Sequence, residues 1–284
     1  MKKALVSVMA AFGLAGCATV PNGGNQPVNG QIIVQNGDPQ RVAVCVGLTH
    51  VDPKAYGGWD GECPGCDVDA KGLCKLLTDN GFSTTLILEG KATWRNFKQA
   101  VYKASAGLKP GGLMMITMSG HGGQMPDDNG DEPSGQDSTL CMWDGQVRDD
   151  EFLRMIQRIP VGTRLVLIND QCHSEGNFKT VWRQVKRGVT FGAAGKKMAV
   201  PMIRGKRDVD IQIIQFAGCR EANYSYGSDT GGTWTQNLLK TYKPELTWRK
   251  WFDAAKGIMP SQQVPVWTEY GGVTEQFING PVLK

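Results

Sequence analysis

From residue 41 onward, short apolar runs alternate with segments whose apolar side chains recur every three or four positions. The first run, 41–48, is β-branched and apolar, fit for a buried strand. Segment 67–80 places Val68, Leu73, Leu76 and Leu77 at helical spacing, and Gly81 supplies the stop. A second strand is expected at 83–88. Thr93 then caps a helix over 94–108, which ends before Pro110-Gly111-Gly112. Strands follow at 113–118 and 164–168 with a helix at 149–157 between them, then a strand at 209–216 and a helix near 233–241. This alternation predicts an α/β fold: a central, mostly parallel sheet with helices on both faces. Such sheets hold ligands at the carboxyl ends of their strands, so the residues just past each strand are the ones to read for chemistry.

The N-terminus follows a different pattern. Lys2 and Lys3 precede an apolar run over 4–14, and Leu14-Ala15-Gly16-Cys17 closes it with small residues before a cysteine. This is the organisation of a secretory signal, and the closing cysteine resembles a bacterial lipoprotein box. The resemblance implies a lipidated Cys17 as the mature N-terminus. The protein would then be exported and attached through its lipid to the cell envelope, at the outer membrane. Residues 18–40 are rich in Gly, Asn, Pro and Gln and read as a flexible linker. After the N-terminus no run of eighteen apolar residues occurs, so no spanning helix is expected. The 284 residues suffice for a substantial core. Their formal charge of +4 drops to +2 without Lys2 and Lys3, which makes no case for nucleic acid. A monomer is expected.

Eight cysteines in an exported chain raise the question of disulfides. Cys45 lies in an apolar strand and Cys219 follows one, so both read as small core residues. Cys63-x-x-Cys66 is open to three readings: a disulfide, a redox pair or half of a zinc site. Zinc is the weakest, since no second pair of similar spacing follows.

Two strand endings carry the candidate chemistry. The third ends in Met118-Ser119-Gly120-His121-Gly122-Gly123, and the fourth in Asn169-Asp170-Gln171-Cys172-His173-Ser174. A cysteine attacks carbonyls as the thiolate, and a nearby imidazole either takes its proton or holds it ionised. Side chains two apart on a strand share a face, so Ser119 is expected with His121 and Asp170 with Cys172. Asp170 would then attract a cationic substrate side chain. Backbone N–H groups near Gly122 and Cys172 are candidates for an oxyanion hole. A cysteine taken alone is more often a buried small residue than a nucleophile. Of the other histidines, His173 adjoins Cys172 and is expected to point the other way, while His50 follows a strand and is the serious rival to His121. No serine sits in a Gly-x-Ser-x-Gly turn.

Ser119-Gly120-His121-Gly122 and Asp170-Gln171-Cys172-His173-Ser174 resemble the histidine and cysteine motifs of the caspase clan (peptidase family C14), closest to bacterial metacaspases. Tyr56-Gly57-Gly58-Trp59, Gly65-Cys66-Asp67-Val68-Asp69-Ala70, Asp128-Asn129-Gly130-Asp131-Glu132-Pro133, Phe216-Ala217-Gly218-Cys219-Arg220-Glu221 and Gly231-Gly232-Thr233-Trp234-Thr235 extend the match in the family's order. The resemblance implies a caspase–haemoglobinase-like fold. Residues 41–185 would be large-subunit-like, 186–207 a basic linker and 208–284 small-subunit-like. It also implies a cysteine endopeptidase with Cys172 as nucleophile and His121 as base. Asp69 and Asp170 would form an acidic pocket, with Ser119 lining it, for Arg or Lys before the scissile bond. The implied partners are therefore proteins or peptides with basic residues. The chemistry needs no cofactor, and calcium is the implied activator, with Asp137, Asp149 and Asp150 as ligands. Lys179 departs from that ligand pattern, and Glu175 stands where the family usually has Gly. Arg187, Lys197 and Arg207 are candidate self-cleavage sites in the stretch 179–207, which has nine basic residues and no acidic ones. The competing readings are a catalytically silent, caspase-like scaffold on an envelope surface and a thiol redox protein using Cys63 and Cys66.

Overall fold

A computed structural model describes residues 30–127, 130, 135–171, 190–191, 197–198, 211–219 and 225–284. Cys17, Cys172, His173, Glu175, Lys179 and most of the basic linker lie outside these residues.

The expected strands form the middle of a seven-stranded sheet. Its members are β1 (Gln31–Gln35), β2 (Asp38–Gly47), β3 (Phe82–Leu88), β4 (Leu113–Ser119), β8 (Arg164–Asp170), β11 (Gln212–Ala217) and β14 (Val266–Tyr270), in the order β1-β3-β2-β4-β8-β11-β14. The five inner strands are parallel, and β1 and β14 pair antiparallel at the two edges. Between β4 and β8 the chain makes a second, antiparallel sheet of β5 (Gly122–Pro126), β6 (Gln136–Met142) and β7 (Gly145–Arg148). Two-residue strands β9 (Thr190–Phe191) and β10 (Lys197–Met198) pair with each other, as do β12 (Gly227–Ser228) and β13 (Gly231–Gly232).

Helices cover both faces, as the near-continuous apolar strands require. Alternate residues of the strands sort between two cores. Val42, Val44, Val46, Met114, Ile116, Leu165 and Leu167 face one way, with α2 (Trp94–Ser105) and α3 (Asp149–Ile156). Ala43, Cys45, Met115, Val166, Ile168, Ile214 and Phe216 face the other. There they meet α1 (Cys66–Asp79), α4 (Thr233–Thr241) and α5 (Trp248–Lys256). A short α6 (Glu275–Ile278) follows β14. Cys45 and Cys219 are fully buried, in keeping with core roles.

The linker expectation is corrected at its end. Residues 31–35 form β1, and β2 begins at Asp38, so the last part of the expected 18–40 linker is strand. All five β1 residues are exposed, which explains the missing signal: an edge strand packed on neither core shows no burial pattern. The helix expected over 94–108 stops at Ser105, and Val68 lies on the exposed side of α1.

Candidate active site

The register of the sheet brings the candidate residues to one edge. Gly47, Ser119 and Asp170 are neighbours at the carboxyl ends of β2, β4 and β8. Ser119 and Asp170 share strand parity with Met115 and Ile168, and so face α1 and α4. Asp69, in the first turn of α1, meets them there.

Asp69 and Asp170 are both buried, at 0% and 4% exposure, so their charges depend on protein donors. Asp69 Oδ2 accepts from the Ser119 hydroxyl and from the Gly232 N–H, both at 2.8 Å, and Oδ1 accepts from Gln236 Nε2 at 2.9 Å. Asp170 Oδ1 accepts from the Ser225 hydroxyl at 2.7 Å, and Oδ2 from the Thr235 N–H at 2.9 Å in the first turn of α4. Burial first, and then the charge of Asp170, push the Asp69 carboxyl up to about 7. Burial also raises Asp170. Two carboxylates therefore converge on the Gly231–Gly232 backbone; a methyl on Gly232 would overlap both of them.

His121 lies just past β4. Its Nε2 sits 3.3 Å from the Glu62 carbonyl, which can only accept, so Nε2 carries the proton and Nδ1 keeps a lone pair. The Trp59 ring packs against the imidazole at 4.8 Å. Burial holds the His121 pKa below its ordinary value, which outweighs the opposing effect of the Glu62 and Gly61 backbone. A neutral imidazole whose Nδ1 carries the lone pair is equipped to accept a proton at pH 7. His50, the rival, has Nδ1 engaged by Thr49 Oγ1 at 3.1 Å, and its backbone N–H donates to Glu89 Oε2 at 3.3 Å.

Cys172 lies outside the described residues, so its thiol is not placed. Its predecessor is: Gln171 Nε2 donates to the His121 carbonyl at 3.2 Å, and the Cys219 thiol donates to the Gln171 carbonyl. Gln171, the last described residue of this segment, therefore lies beside His121. Gly122 opens β5, opposite Leu140.

The structure resolves the alternatives for Cys63 and Cys66, which are joined in a disulfide. It does not assemble the expected calcium ligands. Asp137 is paired with Arg148 at 2.8 Å, Asp150 with Arg154 at 3.4 Å, and Asp149 Oδ1 accepts from the Asp150 N–H. A guanidinium thus occupies the cationic position beside Asp137. Among the described residues, no three ligating side chains converge on a metal position. These residues do not fit the ion as they stand, and no step is assigned to it.

Several contributors carried little sequence signal. The Glu62 carbonyl is backbone, and any residue type would supply it. Gln236, Gly232 and Ser225 are brought to the carboxylates by α4, by β13 and by the segment before β12.

A family model described as the caspase domain, Peptidase_C14, matches residues 40–271. Metacaspase-1 of Mycosarcoma maydis is 24% identical over 282 residues, covering 78% of this chain and 68% of that protein. Metacaspase-7 of Arabidopsis thaliana is 29% identical over 146 residues, covering 48% of this chain but only 36% of that protein's length. The crystal structure of protein GSU0716 from Geobacter sulfurreducens superposes with TM-score 0.69 at 28% identity, covering 86% of this chain and 98% of that one. Caspase-1 of Spodoptera frugiperda shares the fold, with TM-score 0.51 at 15% identity over 89% of this chain and 93% of that one. With its parallel sheet and strand-end site in this arrangement, the chain belongs to the caspase-domain family of cysteine peptidases.

Proposed function

We propose that the protein is a cysteine endopeptidase that cleaves after Arg or Lys, with Cys172 as nucleophile and His121 as base. The observation that carries this reading is the buried Asp69–Asp170 pair, formed between the first turn of α1 and the end of β8, beside the β4 end that His121 follows. Burial first, and then repulsion from the Asp170 carboxylate, let Asp69 keep a proton near neutrality. A guanidinium or ammonium entering beside them would release that proton and supply the missing charge. A substrate carboxylate would meet repulsion.

In the proposed chemistry, His121 Nδ1 takes the Cys172 thiol proton and the thiolate adds to the scissile carbonyl. The N–H groups of Gly122 and Cys172 receive the developing oxyanion. Collapse breaks the C–N bond, and the imidazolium returns its proton to the leaving amine. Water then hydrolyses the thioester and restores the thiol. Ser119 lines the pocket through its bond to Asp69. The pattern over residues 2–17 supports attachment to an envelope surface through a lipidated Cys17.

The test is a set of fluorogenic peptides ending in Arg, Lys or Asp, assayed with and without calcium. Arg and Lys peptides should be cleaved and Asp peptides spared, with Cys172→Ala abolishing turnover. If Cys172→Ala leaves the cleavage of basic peptides unchanged, the reading fails. A chain that neither cleaves them nor reacts with a thiol-directed peptide inhibitor is instead a scaffold.

A further inference from the structure

We infer that the Cys63–Cys66 disulfide is a positioning element of this site, holding His121 and Asp69 in register and making both respond to thiol reduction. Its catalytic consequence rests on the peptidase reading; its structural content does not.

Cys63 directly follows Glu62, whose carbonyl holds His121 Nε2 at 3.3 Å. The same loop carries Trp59 against the imidazole and Tyr56 edge-on to Trp59, with ring centroids 4.8 and 5.8 Å apart. The Tyr56 hydroxyl is anchored on the Met142 carbonyl at 2.6 Å. On the other side of the disulfide, Cys66 is the first residue of α1, and the Asp69 N–H donates to the Gly65 carbonyl at 3.0 Å. One covalent bond therefore spans the junction between the acceptor of the histidine and the helix turn that carries the carboxylate.

The noncovalent ties are divided across that junction. The loop is held to the end of β2 by Cys63 N–H to the Thr49 carbonyl, and across its own base by Val51 N–H to the Asp60 carbonyl, both at 2.7 Å. The start of α1 has no side-chain cap, and among the described residues the backbone bond that links it back to the loop is Cys66 N–H to the Cys63 carbonyl, at 3.2 Å. Capping side chains normally fix where a helix begins. Here the disulfide supplies that constraint. Because it closes a ring of only a few residues, its effect on the unfolded chain is small compared with that of a long-loop disulfide. Its influence is local, on the two active-site groups that flank it.

Cys63 is only half-buried, so a small dithiol can reach the bond. Reduction breaks S–S, Cys63 and Cys66 each gain one electron and one proton, and the dithiol leaves as its cyclic disulfide. An oxidising envelope would keep the bond closed, and a reducing compartment would open it.

The experiment compares the oxidised full-length chain with its Cys63→Ser/Cys66→Ser variant, with the disulfide checked by mass spectrometry. The imidazole signals are titrated by NMR, and His121→Gln assigns the His121 resonance. In the oxidised chain, His121 should appear as a single Nε2–H tautomer titrating below an ordinary histidine. In the variant, the tautomers should mix and the titration should move up towards the ordinary value. Turnover of Arg peptides, measured under a mild reductant that leaves the bond intact, should fall about tenfold or more in the variant, chiefly in kcat. Should the double variant unfold, Cys63→Ala opens the same bond without altering the helix. Identical tautomer and titration in both chains would overturn the inference. A shifted titration with no turnover in either chain would sustain it while removing the peptidase reading.

Discussion

Asp69 accepts three hydrogen bonds and still keeps a raised pKa, because burial and the Asp170 charge outweigh the donors. This sets the sign of a pH effect. An unfolded aspartate titrates near about 3.9, whereas folded Asp69 titrates at about 7. Between those values the folded chain holds the extra proton. Its contribution to stability is complete below the lower pKa and is lost as pH rises through the upper one. Asp69→Asn lacks this titration, so its Tm relative to wild type should become more favourable as pH rises from about 5 to about 7.5. Calorimetry at several pH values reads this directly, and a constant difference would contradict it. The same variant should lose about 10- to 100-fold in kcat/KM on Arg peptides, the worth of one charged hydrogen-bonded partner. At the neighbouring position, His121→Ala should cost about 10²- to 10⁴-fold in kcat. His50→Ala should cost little, because its Nδ1 is already bound to Thr49. Steady-state kinetics of the two variants separates them.

At the scale of elements, the site depends on how α4 starts. Thr235 N–H, in its first turn, donates to Asp170, and the positive end of the helix dipole favours the charged carboxylate. Gly232, the residue before the helix, donates to Asp69 and leaves no room for a side chain between the two carboxylates. Gly231 adopts φ 120°, a conformation that L side chains rarely take. Gly232→Ala should therefore displace the carboxylates while β12, β13 and α4 still form. The expected result is at least about a tenfold loss of kcat/KM on Arg peptides, with most of it in KM. Much of this was legible from the sequence: 233–241 reads as a helix, and α4 spans those residues. The two-residue strands before it were not, since a strand that short has no periodicity to detect.

At the scale of the molecule, Phe216 joins the sheet to the helices that frame the site. Its ring lies within 6.5 Å of those of Trp234, Trp248, Trp251, Phe252 and Trp267, drawn from α4, α5 and β14. Phe216→Ala should cost about 3–5 kcal/mol of stability, through lost burial and the cavity left behind. Denaturant unfolding would measure it. The chain terminus is held to the same sheet, with Arg41 donating to the Leu283 and Asn80 carbonyls at 2.9 and 3.1 Å.

The sequence by itself determined the five inner strands, the helices between them and the strand-end positions of Ser119, His121 and Asp170. Those follow from local sterics and from burial on two faces, which leave their period in the order of residues. Only the tertiary structure decided which groups meet. Gln236 reaches Asp69 across a separation of 167 residues, and Thr235 reaches Asp170 across 65. Such meetings depend on strand order and register, which no local pattern encodes. The acceptor for His121 is a backbone carbonyl, which every residue possesses, and the Cys63–Cys66 bond was one of three readings until the start of α1 brought the two sulfurs together. The edge strand β1 was lost to the expected linker for the same reason in reverse: it is ordered by pairing with β3 alone, and burial left no mark on its sequence.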